Sequence, residues 1–152
     1  MAQDVPQYLE AIIGWYWNWR NLVIKGTHHA DHLTGTDGTN WICAKGGGDK
    51  IWAKGGNDYV DGGDGNDWID GGKGCDVMDG GTGNDVIKDF EAGLDSIDLS
   101  QLAGIHSMAD LDIHTQNSWY GAQTVIEVGD AGTIVLSGVK EHELEAWDFN
   151  FA

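Results

Sequence analysis

Positive charge is scarce in this chain: 8 lysines and arginines stand against 25 aspartates and glutamates in 152 residues, a formal net charge of −17. A surface so poor in basic groups has little with which to hold nucleic-acid phosphates. Proline occurs once, so the chain is no stiff linker, and cysteine occurs only twice. Cys43 and Cys75 form neither a metal-ligand spacing nor a disulfide framework, and read as buried or incidental thiols. No stretch reaches the ~18 apolar residues of a membrane span. The first residues, MAQDVPQYLE, have no basic region and no cleavage site after an apolar run, which predicts that no signal peptide is removed.

Glycine is abundant, at 24 residues, alongside an apolar fraction of 41% and eight tryptophans. Glycine at this density supplies turns with positive φ. The apolar content is too high for a disordered acidic tail, and the length suits one domain with a modest core. A compact body with this charge repels itself unless cations neutralise it. The chain can fold, but not with its carboxylates bare.

From Gly26 to Lys88 the chain divides into seven nonapeptides with nothing left over: GTHHADHLT, GTDGTNWIC, AKGGGDKIW, AKGGNDYVD, GGDGNDWID, GGKGCDVMD and GGTGNDVIK. The sixth position is Asp31, Asn40, Asp49, Asp58, Asp67, Asp76 and Asp85; the eighth is Leu33, Ile42, Ile51, Val60, Ile69, Met78 and Ile87. Ordinary β-turn preference does not impose a period of nine. An EF-hand needs a longer loop ending in glutamate, and a phosphate cradle needs its G-K-[ST]. The glycine-rich part of each unit reads as a turn whose backbone can approach an ion closely. The last three residues read as a strand, with the eighth facing inward and the seventh and ninth outward. Two units then make one coil, and coils stack ~4.8 Å apart into two parallel sheets around a core that no unit could bury alone.

These units resemble the G-G-x-G-x-D-x-U-x nonapeptide of the RTX (repeats-in-toxin) family, most closely from Gly46 to Asp85. The resemblance implies an all-β, right-handed parallel β-roll. It also implies Ca²⁺ ions between turns two repeats apart, held by glycine-turn carbonyls and pairs of sixth-position carboxylates. All-oxygen donors are what such a hard cation selects. Carried over, one ladder would pair Asp49 with Asp67 and Asp67 with Asp85. The other would pair Asp58 with Asp76, and Asp76 with the closing segment at Asp89 and Asp95. Gly62, Gly63, Gly65, Gly71, Gly72, Gly74, Gly80, Gly81 and Gly83 would supply carbonyls, and Asn40 a weak position. Ala44 and Ala53 replace the first glycine of their units, Lys45 and Lys54 the second, and Lys73 stands in a later turn. His28 and His29 occupy the first turn. The expected load is about three to five ions, held best between Asp67 and Asp85.

DVIKDFEAGLDSIDLSQL, residues 85–102, resembles the closing turn of RTX proteins, with Phe90 plugging the core end. TVIEVGDAGTIVLSGV, residues 124–139, reads as a hairpin, EHELEAW as a short helical turn, and DFNFA as a last strand. The acidic, apolar C-terminus resembles the uncleaved signals read by type I secretion machinery. At the other end, Asp4, Pro6 and Gln7 suit a helix start. Tyr8, Ile12, Tyr16, Trp19 and Val23 recur along an amphipathic helix that feeds a strand near Leu22–Ile24. That helix is expected to cap the roll's open end. Trp15, Trp17 and Trp19 suit subunit docking better than membrane insertion, for which basic residues are too few.

Trp41, Trp52, Tyr59 and Trp68 fall at outward positions and are candidate interface residues. His28 and His32 have i, i+4 spacing but sit in a turn and a strand, which argues against a transition-metal pair. No nucleophile–histidine constellation is present, and no enzyme is expected. The expected organisation is a Trp-rich helix and lead-in strand over 1–25, the repeats over 26–88, and a capping and secretion-signal region over 89–152. The resemblance implies an extracellular protein, secreted without a cleaved signal peptide and folded by calcium. A structural, adhesive or self-assembling role follows, as a homo-oligomer or filament. The alternatives are a small membrane-active, toxin-like protein using the tryptophan-rich helix, and a carbohydrate-binding accessory module touching polysaccharide.

Overall fold

The computed structural model describes residues 22–119 and 121–152. The repeats deliver one short strand per unit: β2 (His32–Thr34), β3 (Asn40–Cys43), β4 (Lys50–Trp52), β5 (Tyr59–Asp61), β6 (Trp68–Asp70), β7 (Val77–Asp79) and β8 (Gly83–Ile87), preceded by β1 (Leu22–Lys25). The remainder supplies β9 (Ser96–Asp98), β10 (Asp112–Ser118), β11 (Gly121–Glu127), β12 (Gly132–Ser137) and β13 (Phe149–Asn150). Successive strands alternate between two sheets, ordered β1-β3-β5-β7-β9-β13 and β10-β11-β12-β8-β6-β4-β2. Repeat strands pair in parallel with their counterparts two units away, Ile42 opposite Val60 and Ile51 opposite Ile69.

This register places every eighth residue on the inside. Leu33, Ile42, Ile51, Val60, Ile69, Met78 and Ile87 are at most 1% exposed. Each such side chain contributes about 1.5–3 kcal/mol of burial free energy. Phe90, Ile97 and Leu99 carry the same core into the closing segment, and Phe149 of β13 lies opposite Ile97.

The expected N-terminal helix, with Trp15, Trp17 and Trp19, lies outside the described residues. Among the described residues there is no α-helix, and EHELEAW forms two 3-10 turns, at Glu141–Glu143 and Ala146–Asp148. The expected hairpin is present as β11 and β12, joined through a 3-10 turn at Gly129–Ala131. It is longer than its sequence suggests, because β10 pairs antiparallel with β11. β10 escapes a pattern-based reading because DIHTQNS is largely solvent-exposed and lacks alternating apolar residues. β12 also lies parallel to β8, as one more rung of the roll.

From the third to the seventh repeat the second position of the turn is left-handed, whereas Thr27 and Thr36 in the first two repeats are not. Gly63, Gly72 and Gly81 have φ of 91°, 90° and 79°, and Lys45 and Lys54 are forced to 78° and 82°. A side chain with a Cβ is disfavoured there by about 1–2 kcal/mol, against which glycine loses more chain entropy on folding. Lys45→Gly and Lys54→Gly should therefore each stabilise the calcium-loaded protein by about 0.5–1 kcal/mol. The readout is an upward shift in Tm; a fall would mean that the lysine side chains hold their turns.

Candidate metal centre

The sixth-position carboxylates of Asp49, Asp58, Asp67, Asp76 and Asp85 point inward from the turns and are buried. One oxygen of each accepts the backbone N–H of the sixth residue two units earlier. The N–H of Asp31 meets Asp49 Oδ1 at 2.7 Å, Asn40 meets Asp58 at 2.7 Å, Asp49 meets Asp67 at 2.8 Å, Asp58 meets Asp76 at 2.8 Å, and Asp67 meets Asp85 at 2.9 Å. Two ladders result, Asp31–Asp49–Asp67–Asp85 and Asn40–Asp58–Asp76. Asp95 continues the second, accepting the Asp76 N–H at 2.9 Å.

The second oxygen is the unusual one. Oδ2 of Asp49, Asp58, Asp67, Asp76 and Asp85 is buried with no hydrogen-bond donor. Such an oxygen costs about 1–3 kcal/mol when neutral and more when charged. Burial pushes Asp58 and Asp67 up to about 6, Asp76 and Asp85 up to about 7, and Asp49 in the same direction. No basic side chain opposes these shifts, and the ion pairs His114–Asp112 and Lys140–Glu143 lie elsewhere. Either a proton or a cation from solution can neutralise these carboxylates.

The turns leave room for it. A Cβ added to Gly62 would come within 2.5 Å of Asp67 Oδ2 and 2.9 Å of the Gly80 carbonyl oxygen. One added to Gly80 would lie 2.6 Å from Asp85 Oδ2, and one added to Gly71 2.8 Å from Asp76 Oδ2. The space freed by each missing side chain is thus faced by an orphaned carboxylate oxygen, a donor set that suits Ca²⁺. Among the described residues no three His, Cys, Asp or Glu side chains converge. A site built largely from backbone carbonyls needs no such group.

Asp49, Asp58, Asp67, Asp76, Asp85 and Asp95 stand in the expected ladders. Asp89 does not: its carboxylate accepts the N–H of Gly71 at 2.9 Å and that of Gly72, and it pairs with Asp70. The reason is a count of one. The step from Asp76 to Asp95 is 19 residues, so the closing segment is one longer than two units. Asp89 falls 18 after Gly71, opposite a first position rather than a sixth. Of the expected carbonyls, that of Gly80 faces the Asp67 oxygen, whereas that of Gly63 accepts the Thr82 N–H at 2.8 Å.

The first two turns are closed from within. Asp31 Oδ2 accepts the Thr27 N–H at 2.6 Å and the Thr27 hydroxyl at 2.9 Å. Asn40 Oδ1 accepts the Thr36 N–H at 2.6 Å, and its Nδ2 donates to Thr36 Oγ1 and to the Gly38 carbonyl. Thr27 and Thr36 were missed in the sequence, although threonine at the second position marks both units. Asp148 was missed as well. It accepts the N–H groups of Gly93 and Glu145, each at 2.8 Å, and so ties the C-terminal turn to the closing loop.

Outside the roll, Trp41 packs on Tyr59 with ring centroids 5.1 Å apart, and Trp52 on Trp68 at 5.2 Å. His32 sets its ring edge against Trp52 at 6.0 Å.

Fold and donor set together define a calcium-binding parallel β-roll built on glycine–aspartate turns. The family model described as RTX calcium-binding nonapeptide repeat (4 copies) matches residues 52–87. The solution structure of the AlgE6R3 subunit from the Azotobacter vinelandii mannuronan C5-epimerase is 30% identical, with 84% of this chain and 81% of that one covered and a TM-score of 0.64. The AlgE6R2 subunit of the same epimerase, 24% identical over 85% of this chain and 92% of its own with a TM-score of 0.65, supports the fold alone. No curated protein matches the chain. The chain belongs to the RTX calcium-binding nonapeptide repeat family, and calcium is its cofactor.

Proposed function

We propose that the chain is an extracellular module that folds around calcium and then serves as a structural or adhesive, self-assembling element. Asp49, Asp58, Asp67, Asp76 and Asp85 would hold the ions with carbonyls of the glycine turns, and Asp95 would close the second ladder. The observation that carries this reading is the set of five buried carboxylate oxygens without a donor. Bound calcium supplies a positive charge that accepts six or more oxygen ligands. Without it the ladders hold carboxylates above and below one another, which opposes stacking.

Affinities of roughly 10⁻⁴–10⁻³ M suit extracellular calcium and leave the chain unfolded in a cytosol poor in it. A chain in that condition can be threaded by type I secretion machinery. Residues 26–88 form the switch in this scheme, and 89–152 cap it and carry the export signal. The resemblance to subunits of an epimerase supports a module that accompanies an activity housed elsewhere.

The ladder can be tested by two substitutions of the same kind. Asp67→Asn removes a carboxylate central to its ladder and should raise the calcium midpoint for folding about tenfold or more. Asp31→Asn should leave the midpoint within about twofold, because Thr27 already supplies donors to Asp31. Equal effects from the two would remove the proposed ligand set.

A further inference from the structure

We infer that β12 is the strand of a displaced eighth repeat, and that its entry at Gly132 closes one more calcium site, over Asp85. The inference rests on the calcium ladder proposed above.

Read in nines from Gly129, the segment is GDAGTIVLS, with glycine at the first and fourth positions and an apolar residue at the eighth. Ile134 stands where the others have aspartate or asparagine. In the fold, β12 takes the place of a repeat strand. Gly132 lies opposite Gly83, Thr133 opposite Asn84, Ile134 opposite Asp85 and Leu136 opposite Ile87. Fourth position therefore stacks on fourth, sixth on sixth and eighth on eighth. The backbone agrees at the fourth position, where Gly132 has φ 129°, beside 130° for Gly83, 136° for Gly65 and 138° for Gly74, while Gly129–Ala131 before it form a 3-10 turn instead of the repeat turn. A Cβ on Gly132 would run into the Gly83 carbonyl, as one on Gly83 would into Gly65 and one on Gly65 into Gly47. The rungs also share a side-chain link: Thr133 Oγ1 lies 3.1 Å from Asn84 Oδ1, and Thr82 Oγ1 lies 2.9 Å from Asp64 Oδ1.

The contact spans 49 residues of sequence, so no scan of contiguous nonapeptides would meet it. Its chemical consequence lies beneath it. Asp85 is 1% exposed, and its Oδ2 has no donor. Lower in the ladder one carboxylate faces another two units on, but Ile134 offers none. A cation here would rely on the Asp85 carboxylate with backbone carbonyls and water, and would bind more weakly than between paired aspartates. Filling the site ties the C-terminal hairpin to the roll, so the cap docks last.

Calcium binding to the full chain, counted by native mass spectrometry and calorimetry, separates the cases. The wild type should show one step weaker than the rest. Gly132→Ala should abolish that step alone and speed hydrogen exchange over 121–137 in calcium. Ile134→Asp should tighten it about tenfold or more without raising the total. A Gly132→Ala protein that retains every step, or an Ile134→Asp protein that gains an ion on top of an unchanged set, would overturn the site and leave the main ladder standing. A wild type that binds no calcium would instead remove the ladder itself.

Discussion

In EDTA at neutral pH the chain should behave as an expanded polymer, and in millimolar calcium as a compact one. For a chain of this length the radius of gyration would fall from about 40 Å to about 15 Å. The orphaned oxygens of Asp49, Asp58, Asp67, Asp76 and Asp85 are the reason. A buried carboxylate without a partner costs several kcal/mol, and a few of these match the ~5–15 kcal/mol that hold an ordinary domain together. An ion at about a hundred times its Kd returns about 2.7 kcal/mol per site. In the proposed ladders neighbouring coils would share carboxylates, so filling one site would order the next and the transition should be sigmoidal in calcium. Size-exclusion chromatography with light scattering and circular dichroism would follow it. A chain equally compact and β-rich in EDTA would show that the ladder closes without metal, and the calcium switch would be withdrawn. The scattering mass reports separately on whether strand edges such as β2 and β10 lead the folded form to associate.

The repeats were legible because one period governs two properties at once. Aspartate or asparagine at the sixth position and an aliphatic at the eighth leave only one way to curl a nine-residue unit, and both rows appear inside the roll apart from the half-buried Asp31. What escaped depends on distance or on counting. Thr27 and Thr36 satisfy Asp31 and Asn40 only because the turn aims their N–H and hydroxyl groups inward. Asp89 and Asp95 both looked like ladder residues, and only the one-residue excess of the closing segment separates them. β12 reads correctly as a hairpin strand, yet nothing near it in the sequence announces that it lies on β8. The outer aromatics Trp41, Tyr59, Trp52 and Trp68 are where outward positions should be, but their pairing across coils is a property of the register.

Acid should do to the calcium-free chain part of what calcium does at neutral pH. Aspartate in an unfolded chain titrates near 4. In the fold, burial holds Asp58 and Asp67 near 6 and Asp76 and Asp85 near 7, so between these limits the folded form binds protons that the unfolded form has lost. A group with a raised folded pKa gives stability that is complete below the unfolded value and is lost as pH climbs through the folded one. Without calcium, stability must therefore fall from about pH 4 to about pH 7, by about 1.4 kcal/mol per pH unit for each proton involved. With calcium the slope reverses, because the ions need ionised carboxylates and protons compete with them. The two curves should cross. Circular dichroism in EDTA at pH 5.5, above the sequence pI of 4.3, should show more β structure than at pH 7.5. The same pair of samples in millimolar calcium should show the opposite order of Tm. If both conditions gave the same slope, the orphaned aspartates would not be the groups that couple folding to calcium, since no other feature of the ladders changes sign when a proton is exchanged for a cation.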